Sequence, residues 1–336
     1  MKRKATTKGT RTDVYQEVTD RMIQALEAGV VPWQRPWTSA GRPRSLSTGK
    51  PYRGVNVWLL SLAGQDNGWT SPWFGTYGQI AERGGQVRKG EKSILVTFWK
   101  TLEKEDRDPA TGEVSTTTVP MLRQFRVFNA CQADGLPERY FPAPGTQAGP
   151  IAGPQGVLDG YVNRPGGPAL HYDVAGQAYY SPALDEIHMP PIEGHRSAEG
   201  FYSTAFHEAG HSTGHTSRLA REGVRGTDKF GSHAYGKEEL AAEMTSSMLC
   251  AETGVDTDAI FANSAAYIGS WLETIKADPK MVIGAAAAAQ KAADLVLEPT
   301  REARADLEPP TLDDHNVAVN GHLVAEPRAD AEPEAA

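Results

Sequence analysis

Cysteine is scarce: Cys131 and Cys250 are the two in 336 residues. So few, so far apart, they offer no disulfide framework, and buried free thiols in a reducing cytoplasm are the expectation. Long apolar runs are missing too. The longest, around Ala285 to Ala289, is too short to cross a bilayer and is followed by Lys291, so no membrane partner is expected. The basic first ten residues lead into no apolar stretch, which argues against a signal peptide. Tryptophan all but disappears after the first hundred residues, which hold six of the seven. Hydrophobic residues at 39% and charged ones at 23% describe a soluble protein with ordinary cores, long enough for two domains.

The net charge of -8 hides an asymmetry. Residues 1–130 carry 20 Lys plus Arg against 12 Asp plus Glu, a net of +8, while the remaining 206 carry 14 against 30. A basic front joined to an acidic remainder suggests a polyanion partner for the front alone.

The most informative stretch is His207-Glu208-Ala209-Gly210-His211. Histidines four apart on a helix share one face and can offer nitrogens to one metal ion. Glu208, beside the first ligand, can take a proton from a metal-bound water, which zinc acidifies to a pKa of about 7. Helix signals surround the run: Ser197 can cap, Phe201 and Ala205 continue an apolar stripe, and Gly214 can terminate. A third histidine ten residues after His207 is missing, because Ser217 stands there. His215 is better read as a capping or supporting group than as a ligand. The stronger source of a third ligand is the run 237–243, where Glu239 and Glu243 share a helix face. Glu239 is assigned to the metal and Glu243 to orienting a ligand histidine, roles the two can exchange. One Zn²⁺ per chain is expected. Tyr235 either stabilises an oxyanion or packs at the helix start. The segment Glu186-Ile187-His188-Met189, a strand just before the metal helix, is expected to form the cleft edge that pairs with an extended substrate, with His188 lining it.

In the basic front, Asp13 caps a helix running to Glu27 and ended by Gly29. Pro-Trp pairs follow at Pro32-Trp33 and Pro36-Trp37, interleaved with arginines. Rings among cations suit single-stranded DNA, whose unstacked bases offer faces while Lys and Arg track phosphates. The expected contacts are Trp33, Arg35, Trp37, Tyr52 and Arg53, with Arg88 and Lys89 presented by the glycine-bounded turn 84–90. At least half of the early tryptophans should fill cores; Trp58 lies in an apolar segment, and Ile94 to Trp99 reads as a core strand.

These signals divide the chain into a flexible basic arm (1–11), a single-stranded-DNA-binding domain (12–141), a Pro/Gly-rich linker (142–156), a metallopeptidase-like domain (157–297) and a disordered acidic tail (298–336). The expected fold class is α+β: two domains, the second a zincin-like unit of gluzincin type.

The order of features resembles the ArdC-type antirestriction proteins of conjugative plasmids and phages. The matching stretches are Leu26 to Trp33 with Pro36-Trp37, Gly49 to Asn56, Gly84 to Lys92, Val127-Phe128-Asn129 with Gln132, Asp185 to Pro190, His207 to His215 with Arg218-Leu219, and Tyr235 with Glu238 to Glu243. The resemblance covers residues 12–297. It implies a single-stranded-DNA-binding domain ahead of a zincin-like metallopeptidase domain, and protection of incoming DNA from host restriction endonucleases. The alternative is a DNA-guided zinc metalloprotease cleaving DNA-associated or host defence proteins. A cytoplasmic location is expected. One departure stands out: relatives usually carry an aromatic residue after the second ligand histidine, where this chain has Ser212.

Overall fold

Asp13 accepts a hydrogen bond from the Tyr15 N–H and so caps α1 (Val14–Glu27), whose buried face carries Val18, Met22 and Leu26. At Gly29 the chain turns through a positive φ that glycine adopts without strain. The structure, a computed structural model, describes residues 13–33, 41–107, 114–141, 153–224, 233–256 and 265–307. The expected basic arm and most of the expected linker lie outside these residues.

The front half continues through β1 (Arg44–Ser45), α2 (Val55–Asn67), β2 (Trp73–Gly75), α3 (Tyr77–Ala81), β3 (Gln86–Val87), β4 (Ile94–Arg107), β5 (Val114–Asn129) and β6 (Ala133–Asp134). Helix α2 is buried along nearly its whole circumference, from Val55 to Gly64, so it forms the centre of this half. Its buried Asn56 pairs with the backbone of Thr97, accepting the N–H at 2.8 Å and donating to the carbonyl at 2.6 Å, which pins α2 to β4. The main sheet has the order β1-β2-β5-β4, and β3 pairs with β6 separately. Strands β4 and β5 form an antiparallel ribbon in register from Ile94↔Val127 to Arg107↔Val114. Leu95 and Val96 are buried, whereas Phe98 and Trp99 are exposed. The core strand expected over Ile94 to Trp99 therefore ends at Thr97, and residues 98–101 that follow are exposed.

The second half comprises α4 (Pro154–Val162), β7 (Ala169–His171), β8 (Tyr179–Ser181), β9 (Glu186–His188), α5 (Ala198–Ser212), α6 (His233–Thr253), α7 (Ala265–Ala277) and α8 (Met281–Leu307). The small sheet has the order β7-β9-β8, parallel on one side of β9 and antiparallel on the other. Strand β9 is thus central, with both edges paired. It cannot serve as the substrate-pairing edge expected from sequence; β7 and β8 hold those positions.

Helix α8 runs past the expected end at Leu297, through Pro299, to Leu307. Proline forfeits a backbone donor there. Side-chain bonds hold the turn: Arg164 pairs with Glu298 at 3.0 Å and donates to the Leu295 carbonyl, and Arg301 pairs with Asp294. The rest of the expected tail, 308–336, lies outside the described residues.

The architecture is α+β, with two domains that share a core. One continuous cluster of buried side chains joins Val18, Met22, Trp33 and Trp58 of the front half to Tyr161, Phe206, Met244, Trp271 and Val282 of the second. Polar bonds reinforce the junction: Thr19 donates to the Pro279 carbonyl at 2.7 Å, the Gly54 N–H to Gln290 at 3.0 Å, and Arg42 pairs with Glu252. Among the described residues no helix is long and apolar enough to cross a membrane.

Candidate metal centre

Helix α5 begins where Ser197 accepts the Gly200 N–H, and it carries His207, Glu208 and His211 against α6. The two helices approach closely at Gly210, where a Cβ would sit 3.2 Å from the Ala242 Cα and 3.3 Å from the Thr245 Cβ. A long side chain there would press the helices apart. That closeness sets the glutamates of α6 against the histidines of α5.

The Nε2 atoms of His207 and His211 lie 3.1 Å apart. Glu239 sets its Oε2 3.6 Å from the His207 Nε2 and its Oε1 3.6 Å from the His211 Nε2. These three groups form the one cluster among the described residues whose donor atoms converge closely enough to hold a metal ion. Behind the histidines stand two more carboxylates: Glu243 lies 3.7 Å from His207 Nδ1, and Glu238 lies 3.3 Å from His211 Nδ1. An acceptor beside each Nδ1 favours the proton on that nitrogen and leaves both Nε2 lone pairs aimed at one point. Two Nε2 atoms 3.1 Å apart need a shared proton or a cation between them, and with Glu239 beside both the donor set fits a divalent ion.

No role for Glu238 or its partner Arg221 is legible in the sequence. Glu238 is only 6% exposed and receives Arg221 through Nε at 2.8 Å and Nη2 at 2.6 Å. Arg221 also donates to Thr213 Oγ1 and to the Gly210 carbonyl, so it links the end of α5 to α6. Burial would raise the Glu238 carboxyl, but Arg221 and His211 together hold it below its ordinary range. Gly214, the expected helix end, follows the C-cap Thr213, and it also makes room: its hydrogens face the Arg221 guanidinium and Val224.

The electrostatics are those of a cation site. Burial alone would raise the Glu239 carboxyl, yet hydrogen bonding to His207 and the neighbouring imidazoles bring it down to about 2. Burial works the other way on His207, and there Glu239, Glu243 and Glu208 win, raising it well above the usual histidine value. Glu208 is buried at 8% exposure. The Tyr235 hydroxyl bonds to Glu239, and burial with that negative neighbour pushes it up to about 12, so it stays protonated at neutral pH.

Other residues singled out in the sequence fall elsewhere. His188 sits in the small sheet, stacked between His171 and Tyr179, with Nδ1 2.9 Å from Asp173 and Nε2 3.3 Å from Glu186. His215 bonds to Ser217 at 2.7 Å and has Asp185 at 3.8 Å, in the cluster where Arg218 pairs with Asp185. Ser212 is buried, donates to the Ala209 carbonyl and meets the Tyr161 hydroxyl at 2.9 Å, so Tyr161 supplies an aromatic ring from outside α5.

Of the expected DNA contacts, two are in the core. Trp33 is 1% exposed, edge-on to Trp271, with its carbonyl bonded by Ser247. Tyr52 packs between Phe74 and Phe98 at 6% exposure. Neither ring is open to a base. Arg53 is exposed and paired with Asp294. Arg88 is held by Glu91, Asp134 and the Cys131 carbonyl. Lys89 is exposed, and Arg35 and Trp37 lie outside the described residues.

A histidine-bearing helix crossed by a glutamate helix, with the three donors converging, is the core of a zincin-like metallopeptidase domain. Residues 166–288 match the family described as zincin-like metallopeptidase, and residues 12–128 match the N-terminal domain of anti-restriction factor ArdC. The crystal structure of the antirestriction ArdC protein from plasmid R388 is similar over 86% of this chain and 98% of its own length, at 43% identity and a TM-score of 0.68. Its Mn(II)-bound form is similar at 42% identity with the same coverage and TM-score. The chain belongs to the ArdC antirestriction family. Uncharacterized protein y4eC of Sinorhizobium fredii (strain NGR234) is 35% identical over 293 residues, 85% of this chain and 92% of that protein. A DNA primase TraC of Escherichia coli is 36% identical over 301 residues, 84% of this chain; the match spans about a quarter of that longer protein, 27%.

Proposed function

We propose that this chain binds single-stranded DNA through its basic front half and shields incoming DNA from restriction, with the metal centre held by His207, His211 and Glu239 in the second half. The charge split supports the first part: residues 1–130 carry a net of +8 in a chain of net -8, the charge a polyanion partner would meet. That the same stretch recurs within proteins named DNA primase supports a nucleic-acid partner. The metal is proposed to be zinc, one per chain. Imidazole nitrogens with one carboxylate suit it, and three protein ligands leave a position open.

A bound divalent ion would supply Lewis-acid polarisation of a substrate carbonyl. The protein groups around it have separate tasks. The Glu208 carboxylate takes a proton from the attacking water and passes it to the leaving amine. Tyr235, protonated at neutral pH, has a hydroxyl to donate at the same centre. Glu243 and Glu238 hold the two imidazoles in orientation.

A second reading follows from Glu208, whose carboxylate is buried among the donor residues though it is not one of the converging three. A purely structural metal site has no need of it. The chain would then be a DNA-guided protease acting on DNA-associated or host defence proteins. Full-length Glu208→Gln separates the two readings: protection of plasmid DNA in a restricting host persists if binding alone protects, and is lost with DNA affinity intact if proteolysis is required. Metal analysis tests the centre itself, with zinc expected near one per chain in wild type and Glu208→Gln and absent from His207→Ala. Full zinc in His207→Ala would refute the ligand assignment.

A further inference from the structure

The outer part of the β4–β5 ribbon carries one face whose chemistry the shared core does not use. Directly opposed residues of an antiparallel pair share a face. The register therefore sets Val96 with Phe125, Phe98 with Arg123, and Lys100 with Met121 on one side. Inward, this face rests on the buried cluster of Tyr52, Leu60, Phe74 and Val127, and it emerges into solvent at Phe98, which touches Tyr52 at 6.2 Å. Phe98 and Phe125 meet edge to face at 5.6 Å and are 43% and 40% exposed. Met121 and Val119 extend the apolar stripe outward. Lys100 and Arg123 stand exposed beside it, and neither has an ion-pair partner among the described residues. Over the two strands, residues 94–107 and 114–129, the sequence has five cations against three carboxylates, Glu103, Glu105 and Asp106, all three of them outward of Lys100.

An exposed apolar stripe marks an interaction surface, and its charge selects the partner. Exposed cations alternating with half-open aromatic rings fit a polyanion that also presents flat apolar faces. Strand geometry spaces successive pairs on one face by about 6.8 Å, twice the 3.4 Å per-strand phosphate spacing of a duplex, which matches an extended chain with its bases unstacked. A duplex, with its bases stacked inside, has no faces to offer Phe98 and Phe125.

We propose that this face of the ribbon, centred on Phe98, Phe125, Lys100 and Arg123, is a docking surface for single-stranded nucleic acid, with bases on the two rings and phosphates on the two cations. The proposal rests on the single-strand reading above and gives it a location that the buried Trp33 and Tyr52 do not. It is tested on the full chain with a fluorescent oligothymidylate and a labelled duplex over a salt series. Base–aromatic stacking predicts that Phe98→Ala and Phe125→Ala each weaken single-strand binding by about 5- to 150-fold and change duplex binding little. The double variant Lys100→Gln/Arg123→Gln should flatten the logarithmic salt slope by about 1.4, since each neutralised phosphate on a single strand contributes about 0.7. Because Phe98 contacts Tyr52, thermal melting accompanies each variant, and the glutamine pair decides the matter if Phe98→Ala lowers the melting temperature. Wild-type binding that survives all these substitutions would remove the ribbon from the DNA path while leaving the single-strand reading in place. Equal losses for duplex and single strand would refute base stacking. No wild-type binding at all would overturn the single-strand reading itself. A dimer dissolved by Phe98→Ala, with oligonucleotide affinity unchanged, would assign the face to a second copy of the chain.

Discussion

Replacing Glu238 with glutamine probes the carboxylate behind the second ligand histidine while keeping its shape. In the native protein two charge-assisted bonds from Arg221 and the Nδ1 of His211 converge on this carboxylate. Glutamine offers one carbonyl oxygen, so Arg221 loses an acceptor and its buried positive charge loses compensation. A hydrogen bond to a charged group contributes about 1.5–3 kcal/mol, which sets the expected loss in unfolding free energy of the metal-free protein. The effect on metal binding has a different origin. If the amide turns its NH₂ toward His211, Nδ1 must accept, the imidazole proton moves to Nε2, and the ligand lone pair is lost. Groups supporting a metal ligand in this way are worth about 10- to 100-fold in affinity. Competition against a chromophoric chelator at neutral pH measures the second quantity, and urea unfolding the first. A Glu238→Gln protein with wild-type stability and metal affinity within about twofold of wild type would show that the contact at 3.3 Å does not orient His211.

Three further outcomes are expected. Gly210→Leu should push α6 off α5, costing about 1–3 kcal/mol by overpacking and weakening chelator-measured metal affinity; unchanged affinity would mean the helix spacing at Ala242 does not set the donor geometry. Trp33→Ala should destabilise the full chain by about 3–5 kcal/mol in urea while its folded fraction keeps wild-type affinity for single strands, and a loss of affinity without loss of stability would restore Trp33 as a DNA contact. A maleimide reagent should label only Cys131 in the native protein, because Cys250 is fully buried and burial raises its thiol to about 12; two labels before denaturation would contradict that burial.

Local signals were readable in the sequence, and signals that depend on distant partners were not. The cap at Asp13, the cap at Ser197 and the four-residue spacings of His207 with His211 and Glu239 with Glu243 each rest on neighbours within one helix, and each helix forms where its pattern says. Glu238 stands in the sequence without a legible role because its partner Arg221 comes from the irregular stretch after α5, whose path no periodicity reveals. Trp33 and Tyr52 misled for a related reason. Rings interleaved with cations describe an exposed binding face and a core beside a basic surface equally well, and only the packing of Trp33 on Trp271 decides between them. At Phe98 and Trp99 the error ran the other way: an unbroken apolar run reads as buried, but the contact that pins α2 to β4 ends at Thr97.

The shared core has a consequence for how such a unit can be inherited. Cutting the chain between residues 142 and 156 would split the one buried cluster that Val18, Met22 and Trp58 share with Tyr161, Met244 and Val282, leaving two oily wounds rather than two working halves. Recombination that shuffles the front half onto a different second half would be penalised at that seam, whereas splicing the whole block onto another protein's end would not. The pattern of relatives is what such a constraint would leave behind: a protein little longer than the block, and a primase several times its length carrying the same block. Natural variation should accordingly concentrate outside the seam, and residues facing each other across it should change in pairs.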